Sequence, residues 1–412
     1  MAKWQRVVIT GMGAVTPIGN NVEEFWQGLL TGRCGVERIQ AFDPTNLKSQ
    51  VAAEVKCLDL SAYASDRELS RIGRDSLLAV VAVQEALNQY PIPHNLRKDT
   101  GVLLGSNMAG MDIIGEAFIT ESREGPRRVN PQVAMRGMPN THNGVVSIRF
   151  GFQGGGFAPA SACATGLNAI GEGFLWVQSS FMPVVIAGGC ESGILRTLFA
   201  SFGNLKALST HYNNEPKKAS RPFDAKRDGF VGAEGSGVLV LMTLPLAKEL
   251  GLPILAEIIG YGTSFDASNM IDPTGEGAAL AIVRALRWAE ILPSDIDYIN
   301  AHATGTPNGD RAETKGIKEV FGDRAYKIPI SSVKGHIGHG MGAAGAIESV
   351  AVVKTLQTGI VPPTLNREFS DPDCDLDYVT TGPRQTNPRI VLKNSFGFGG
   401  VNASLVLRKW EE

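Results

Sequence analysis

The chain has 412 residues, 43% of them hydrophobic and 19% charged, with a formal net charge of −2. That length suggests two or three domain-sized units around a large core, and the near-neutral balance gives no electrostatic footprint for nucleic acid or an anionic membrane. Five cysteines with no C-x-x-C pair argue against a disulfide framework or a zinc ribbon. No apolar run is long enough to span a bilayer and no secretory leader is visible at the N-terminus, so a cytoplasmic protein is expected, without membrane insertion.

In chain order, Arg6–Thr10 is a β-branched run that leads into GMGAVTPIG and reads as a strand entering a glycine-rich turn. The G-x-G there lacks the third glycine of a dinucleotide fingerprint, and no acidic residue ends a second strand about 20 positions on; a tight structural turn is the better reading. Asn21 caps a helix over VEEFWQGLL, closed by Gly32. Residues 66–90 read as a longer helix with Arg67, Arg71 and Arg74 on one face, which pattern alone makes a solvated surface. TGVLLGSNMAGMD is a strand running into a Gly/Asn turn, and the segment 120–145 reads as irregular, a surface or subunit-contact region.

Next comes PASACATGLNAIGEGFLWVQSS. Leu167, Ile170, Phe174 and Val177 recur at helical spacing and place Cys163 at or just before a helix N-terminus. Backbone N–H groups and the helix dipole lower a thiol's pKa at such a position, and small neighbours leave room for substrate. A lone cysteine is more often a buried structural one, so two later segments carry the weight. His302 lies in NAHATGTPNGD and His339 in SSVKGHIGHGMGAAGAIE, each between a strand and a helix. A nucleophile with imidazole partners is the minimal set for covalent catalysis. From residue 250 onward, AEIIGYGTSFD repeats the strand–Gly-x-Gly type of the N-terminus, and the strand–helix order restarts. Two similar α/β halves, 1–250 and 251–412, are expected.

Five separated segments, SACATGLNAIGEG, RPFDAKRDGFVGAEGSGVLVL, NAHATGTPNGDRAE, SSVKGHIGHGMGAAGAIES and KNSFGFGGVNASLVL, resemble in order and spacing the β-ketoacyl-acyl-carrier-protein synthases of the KAS I/II type. The resemblance covers nearly the whole chain. It implies the thiolase fold, two duplicated halves in five layers α-β-α-β-α, usually as a homodimer. It also implies a decarboxylative Claisen condensation of malonyl-acyl-carrier protein with an acyl chain held on Cys163, needing no cofactor and no metal. By the same resemblance His302 and His339 stabilise the enolate, and Lys334 joins the catalytic set with Glu348 as its charged partner; a salt bridge that orients the His339 loop is the preferred reading of that pair, direct proton transfer the other. The backbone N–H groups of Cys163 and Phe398 form the oxyanion hole, and Phe398 sits in a moving glycine-rich loop. Thr304 and Thr306 contact the pantetheine arm, and Met108 and Phe202 border the acyl pocket.

Lys206 matches a basic docking residue for the acidic carrier protein, and Arg67, Arg71 and Arg74 join it by proximity and periodicity. His336 takes no role from the resemblance, and Ala303 stands where the family commonly has glycine. The pathway stays open between fatty-acid elongation and a specialised type II polyketide or aryl-polyene route. A thiolase would place a second active cysteine in a glycine-rich motif, a KAS III-type enzyme would pair the cysteine with His and Asn, and a chain-length factor would lack the nucleophile.

Overall fold

The computed structural model describes residues 4–63, 65, 72–88 and 90–411. At its centre two helices cross, Thr165–Gln178 and Met341–Thr358. The second is buried on every side except at Lys354, Gln357 and Thr358, as its run of Gly, Ala, Ile and Val requires. Glycines set the crossing. A Cβ on Gly166 would lie 2.8 Å from the Gly342 carbonyl oxygen, and one on Gly345 would lie 2.8 Å from the Leu167 nitrogen. Backbone therefore meets backbone where the helix after Cys163 touches the helix that follows His339.

Around this pair runs a nine-stranded sheet. The strands follow one another as Thr100–Gly105, Val184–Glu191, Gly235–Thr243, Val7–Val15, Ala256–Phe265, Val401–Arg408, Ile390–Gly397, Tyr298–Asn300 and Ile330–Ser331. The halves join through an antiparallel pairing of Val7, Val8 and Ile9 with Ile258, Glu257 and Ala256. Both central helices touch strands of both halves. Arg74–Asn88 covers the outer face of the N-terminal strands, and Glu276–Trp288 with Pro307–Phe321 covers the outer face of the C-terminal ones. The layers thus run helix, strand, helix, strand, helix, and the fold is the thiolase fold.

Two expectations change. The N-terminal strand does not turn at its G-x-G but runs on to Val15, with an irregularity between Ile9 and Gly11. A Cβ on Gly11 would come within 2.5 Å of the Ala86 carbonyl oxygen, so these glycines let the 74–88 helix lie directly on the strand. Nor is 120–145 irregular: helices Met111–Glu124, Val133–Arg136 and Thr141–Phe150 occupy it. Many of their apolar residues face outward, with Ile114, Phe118, Ile119, Met135 and Ile148 exposed while Ile113 and Val146 are buried, which blurs an inward-facing period. Asn21 caps its helix as read, accepting from the Glu24 N–H at 2.8 Å.

Candidate active site

Cys163 sits at a backbone corner. Ala162 just before it has φ +48°, a left-handed conformation that a non-glycine residue holds only when its surroundings impose it. Those surroundings are specific. Thr165 Oγ1 accepts from the Ser161 N–H at 2.7 Å and donates to Asn107 Oδ1 at 2.8 Å, while Asn107 Nδ2 donates to the Ala162 carbonyl at 2.8 Å. The corner turns the thiol toward the C-terminal half. There a Cβ on Gly397 would lie 2.9 Å from the Cys163 nitrogen, so only glycine lets the loop after Ile390–Gly397 close over the sulfur. The thiol accepts from the backbone N–H of Phe398 and from its own.

Sequence reasoning expected a lowered thiol pKa from the helix start. Instead, burial pushes the Cys163 thiol up to about 11, against smaller downward pulls from Lys334 and the Phe398 N–H. The helix begins only at Thr165, and desolvation of the thiolate outweighs its dipole.

His302 follows the strand Tyr298–Asn300 and is held by its backbone. Its N–H and that of Ala303 donate to the buried Glu313 carboxylate at 2.9 and 2.7 Å. His339 is fixed between Val231 and Ala233 by backbone bonds of 2.7 and 3.0 Å. The two rings stand nearly perpendicular, centroids 5.4 Å apart, and their nitrogens lie within 4.8 Å of each other and of the Cys163 sulfur. Nδ1 of His302 and both ring nitrogens of His339 have no hydrogen-bond partner among the described residues. Both rings are held well below the ordinary histidine pKa by burial first, and then by Lys334 and Lys393. Each is therefore a neutral imidazole at pH 7, with an N–H to give and a lone pair to receive.

Lys334 does not face this space. Its ammonium is buried behind His302, donating to the His302 carbonyl at 2.6 Å and pairing with Glu348. Its bonds hold the His302 backbone and the Glu348 carboxylate, whereas the sequence reading puts that salt bridge under the His339 loop. His336 points elsewhere, its ring nitrogens 3.0 and 2.9 Å from the carbonyl oxygens of Arg33 and Pro363.

A cavity of about 290 Å³ leads from solvent to Cys163, His302, His339 and Phe398, with Thr304, Thr306 and Lys206 also on its wall. The Thr304 and Thr306 hydroxyls lie 3.1 Å apart, and Lys206 is exposed at Leu205 and Ala207 on the same wall. Met108 and Phe202 are not on this wall. Phe202 stacks against the Phe398 ring, and Met108 packs toward Gly193. Ala303, in the place of the family's glycine, is buried and keeps a φ outside the left-handed region, so its methyl costs the loop no strain.

Arg74 is taken from the docking set. Its Nε and Nη2 bind both oxygens of Glu234 at 2.6 and 2.7 Å, which commits its fork internally. Arg67 and Arg71 lie outside the described residues.

Three buried groups escaped the sequence reading. Glu191 accepts from Ser106 Oγ and from the N–H groups of Asn107, Met108 and Gly342 at 3.0–3.1 Å, fastening the turn beside Cys163 to the central helix. Glu313 fixes the His302 backbone, and Lys393 pairs with Glu348 at 2.7 Å. Asp310 and Glu313 are three apart at the start of one helix, a spacing that puts both on one face and was available as a signal. Nothing local marks Glu191 or Lys393 as inward-facing. Among the described residues a second triplet, the buried Asp75, His142 and Cys190, also brings ligand-type atoms within 4.8 Å of one another, with His142 Nε2 bonded to the Leu104 carbonyl at 2.7 Å.

A thiol beside two neutral histidines, on a doubly layered α/β sheet, fits a condensing enzyme of thiolase fold. The chain belongs to the beta-ketoacyl synthase family: residues 5–247 match its N-terminal domain and 255–368 its C-terminal domain. It is 40% identical to a 3-oxoacyl-[acyl-carrier-protein] synthase 2 of Synechocystis over 99% of both chains, and 40% identical to one of Staphylococcus aureus over the whole of both. Among solved structures it resembles a beta-ketoacyl synthase from Burkholderia phymatum, with TM-score 0.91 and 36% identity over 99% of this chain and 100% of that one. It also resembles a type II polyketide ketosynthase solved in complex with its acyl-carrier protein and bound to a hexaketide, with TM-score 0.92 and 30% identity over the same shares.

Proposed function

We propose that this enzyme is a 3-oxoacyl-[acyl-carrier-protein] synthase that condenses malonyl-carrier protein with a Cys163-bound acyl chain in fatty-acid elongation. The observation that carries the reading is the meeting of one thiol with two neutral, unpartnered imidazoles at the end of a cavity. In the loading half, the protonated Cys163 thiol passes its proton to an imidazole as sulfur attacks the acyl thioester. The carrier's pantetheine thiol leaves with that proton, which restores the neutral ring. The tetrahedral oxyanion sits against the N–H groups of Cys163 and Phe398.

In the condensing half, the malonyl carboxylate departs as CO2 and leaves an enolate whose oxygen accepts from His302 and His339. Its carbon attacks the acyl carbonyl, the Cys163 thiolate leaves, and the thiolate takes up a proton. Thr304 and Thr306, on the cavity wall, offer hydroxyls to the pantetheine arm.

Lys206 at the mouth supplies a cation for an acidic carrier protein. The exposed apolar side chains of the 111–150 helices support a homodimer, since a contiguous apolar face of this kind is seldom left to water. Free cysteines throughout suit a reducing cytoplasm, and no helix among the described residues is long and apolar enough to cross a membrane.

The test is mass spectrometry of the enzyme incubated with a panel of acyl-carrier proteins, followed by malonyl-carrier protein. Saturated acyl adducts on Cys163 that extend by two carbons support fatty-acid elongation. Preferential loading of poly-β-keto or polyenoyl groups would assign it to a polyketide or aryl-polyene route with the same chemistry, and an adduct on another cysteine would overturn the mechanism.

A further inference from the structure

Behind the two histidines lies a group that the mechanism above does not use. Lys393 is wholly buried on the strand Ile390–Gly397, and its ammonium meets Glu348 Oε2 at 2.7 Å, while Lys334 holds the other oxygen of the same carboxylate. One buried anion thus carries two buried cations, an arrangement costly to desolvate unless every charge is matched. Lys334 in turn donates to the His302 carbonyl. The strand that carries Lys393 ends at Gly397 and Phe398, the loop that closes on Cys163.

We propose that Lys393 is a positioning residue for the condensation half-reaction: by sharing Glu348 with Lys334 it locks Lys334 onto the His302 carbonyl. The inference rests on the condensing reading of the site.

The surroundings are charged from several sides. Glu348 faces Lys393 from the Met341–Thr358 helix and Lys334 from the short helix Lys334–Ile337, and the field of Glu313 reaches it from Pro307–Phe321. Its own strand supplies the Asn394 carbonyl and Ser395 Oγ, the latter at 3.3 Å. Both histidines feel the Lys393 charge, which favours their neutral form. Burial brings the Lys393 ammonium down to about 8, with Glu348 opposing. The bridge is therefore present at neutral pH and is lost as pH rises through that value, when the amine no longer neutralises the carboxylate. Loading of Cys163 does not need the bridge; enolate formation between two oriented, neutral imidazoles does.

The experiment compares wild type with Lys393→Met, which keeps the chain length and removes the charge, after checking fold by circular dichroism and thermal melting. Condensation and malonyl decarboxylation should fall about tenfold or more while acyl loading of Cys163 stays within about threefold, and an alkaline fall in condensation near pH 8 should vanish. In Lys393→Ala, added methylammonium should restore condensation by filling the vacated cation position. A folded Lys393→Met with an unchanged ratio of condensation to loading and an unchanged pH profile overturns the inference, as does a folded Lys393→Ala without rescue. If neither variant folds, the wild type decides: condensation that stays flat from pH 7 to 9.5 overturns it. Should the wild type load but never condense malonyl groups, the condensing reading itself fails, and that outcome is distinct.

Discussion

The Phe398 ring stacks on Phe202, centroids 6.5 Å apart and planes 26° from parallel, while the backbone N–H of Phe398 points at the Cys163 sulfur. One residue therefore sets a backbone N–H beside the thiol and packs its ring on Phe202. Gly399 at φ +82° and Gly400 at φ +71° follow it, backbone that an L side chain resists. Phe398→Ala should leave the donor in place and remove the ring, lowering kcat/KM for long acyl carriers about tenfold through lost positioning. Gly399→Ala should slow loading and condensation alike. Stopped-flow loading with single acyl lengths checks both, and a Phe398→Ala enzyme with wild-type loading at every length would exclude the gate.

Cys163 should behave as a thiol that is protonated at rest. Its alkylation by iodoacetamide should rise about tenfold per pH unit from pH 7 until it flattens near the value of about 11. Cys163→Ser should abolish condensation, and Cys163→Gln, mimicking an acylated site, should keep malonyl decarboxylation. A plateau in alkylation below pH 8 would show a thiolate stabilised beyond what the surrounding groups account for.

His302→Ala and His339→Ala should each cost about 10²–10³ in decarboxylation, the range for removing one oxyanion donor, while acyl transfer to Cys163 persists in part. His336→Ala should leave turnover near wild type. It should instead lower stability by about 1–3 kcal/mol, because the carbonyl that receives the ring's one N–H loses its donor. Urea titration beside the steady-state assay separates these outcomes; equal catalytic damage from His336→Ala and His339→Ala would contradict the geometry.

Charge reversal at Lys206 should raise KM for acyl-carrier protein with little change in kcat. Added salt should narrow the gap between wild type and Lys206→Glu, since at ~0.15 M ionic strength charges are screened beyond about 8 Å. Arg74→Ala should chiefly destabilise the fold, leaving buried Glu234 without its guanidinium. A higher KM toward small acyl-thioester mimics, but not toward carrier protein, would locate the effect of Lys206 in the pocket.

Met108 is a flexible side chain packed toward Gly193, where an added Cβ would meet the Met341 methyl at 2.5 Å and Met108 Cγ at 3.4 Å. Met108→Ala should extend acceptance toward longer acyl chains, and Met108→Phe should confine the enzyme to short ones. The measurement is kcat/KM across carrier-bound chains of increasing length. A uniform fall with the length profile unmoved would leave Met108 a packing residue only.

Much of the site was legible because its residues sit in short segments whose composition is unusual. Cys163 between alanines before a helical period, and His302 and His339 between strand and helix, carry their role in local sequence. Glycine clusters were equally visible, yet their purpose was misread at the N-terminus. Gly11 and Gly13 serve helix contact within a continuing strand, and no local pattern distinguishes that from a turn. The 111–150 helices were missed because a helix with its apolar stripe facing outward has no core to register against.

The sequence by itself singled out the candidate thiol, the two imidazoles and most of the strands and helices, since these follow from residue type and spacing along the chain. Only the tertiary structure decided how those groups behave. Desolvation raises the Cys163 thiol rather than lowering it, Arg74 turns inward to Glu234, and Lys393 joins Lys334 on one buried carboxylate. Each of these depends on which distant segments meet in space, because burial and charge pairing are sums over neighbours hundreds of residues apart in the chain, whereas helical period and turn chemistry are set by the nearest few.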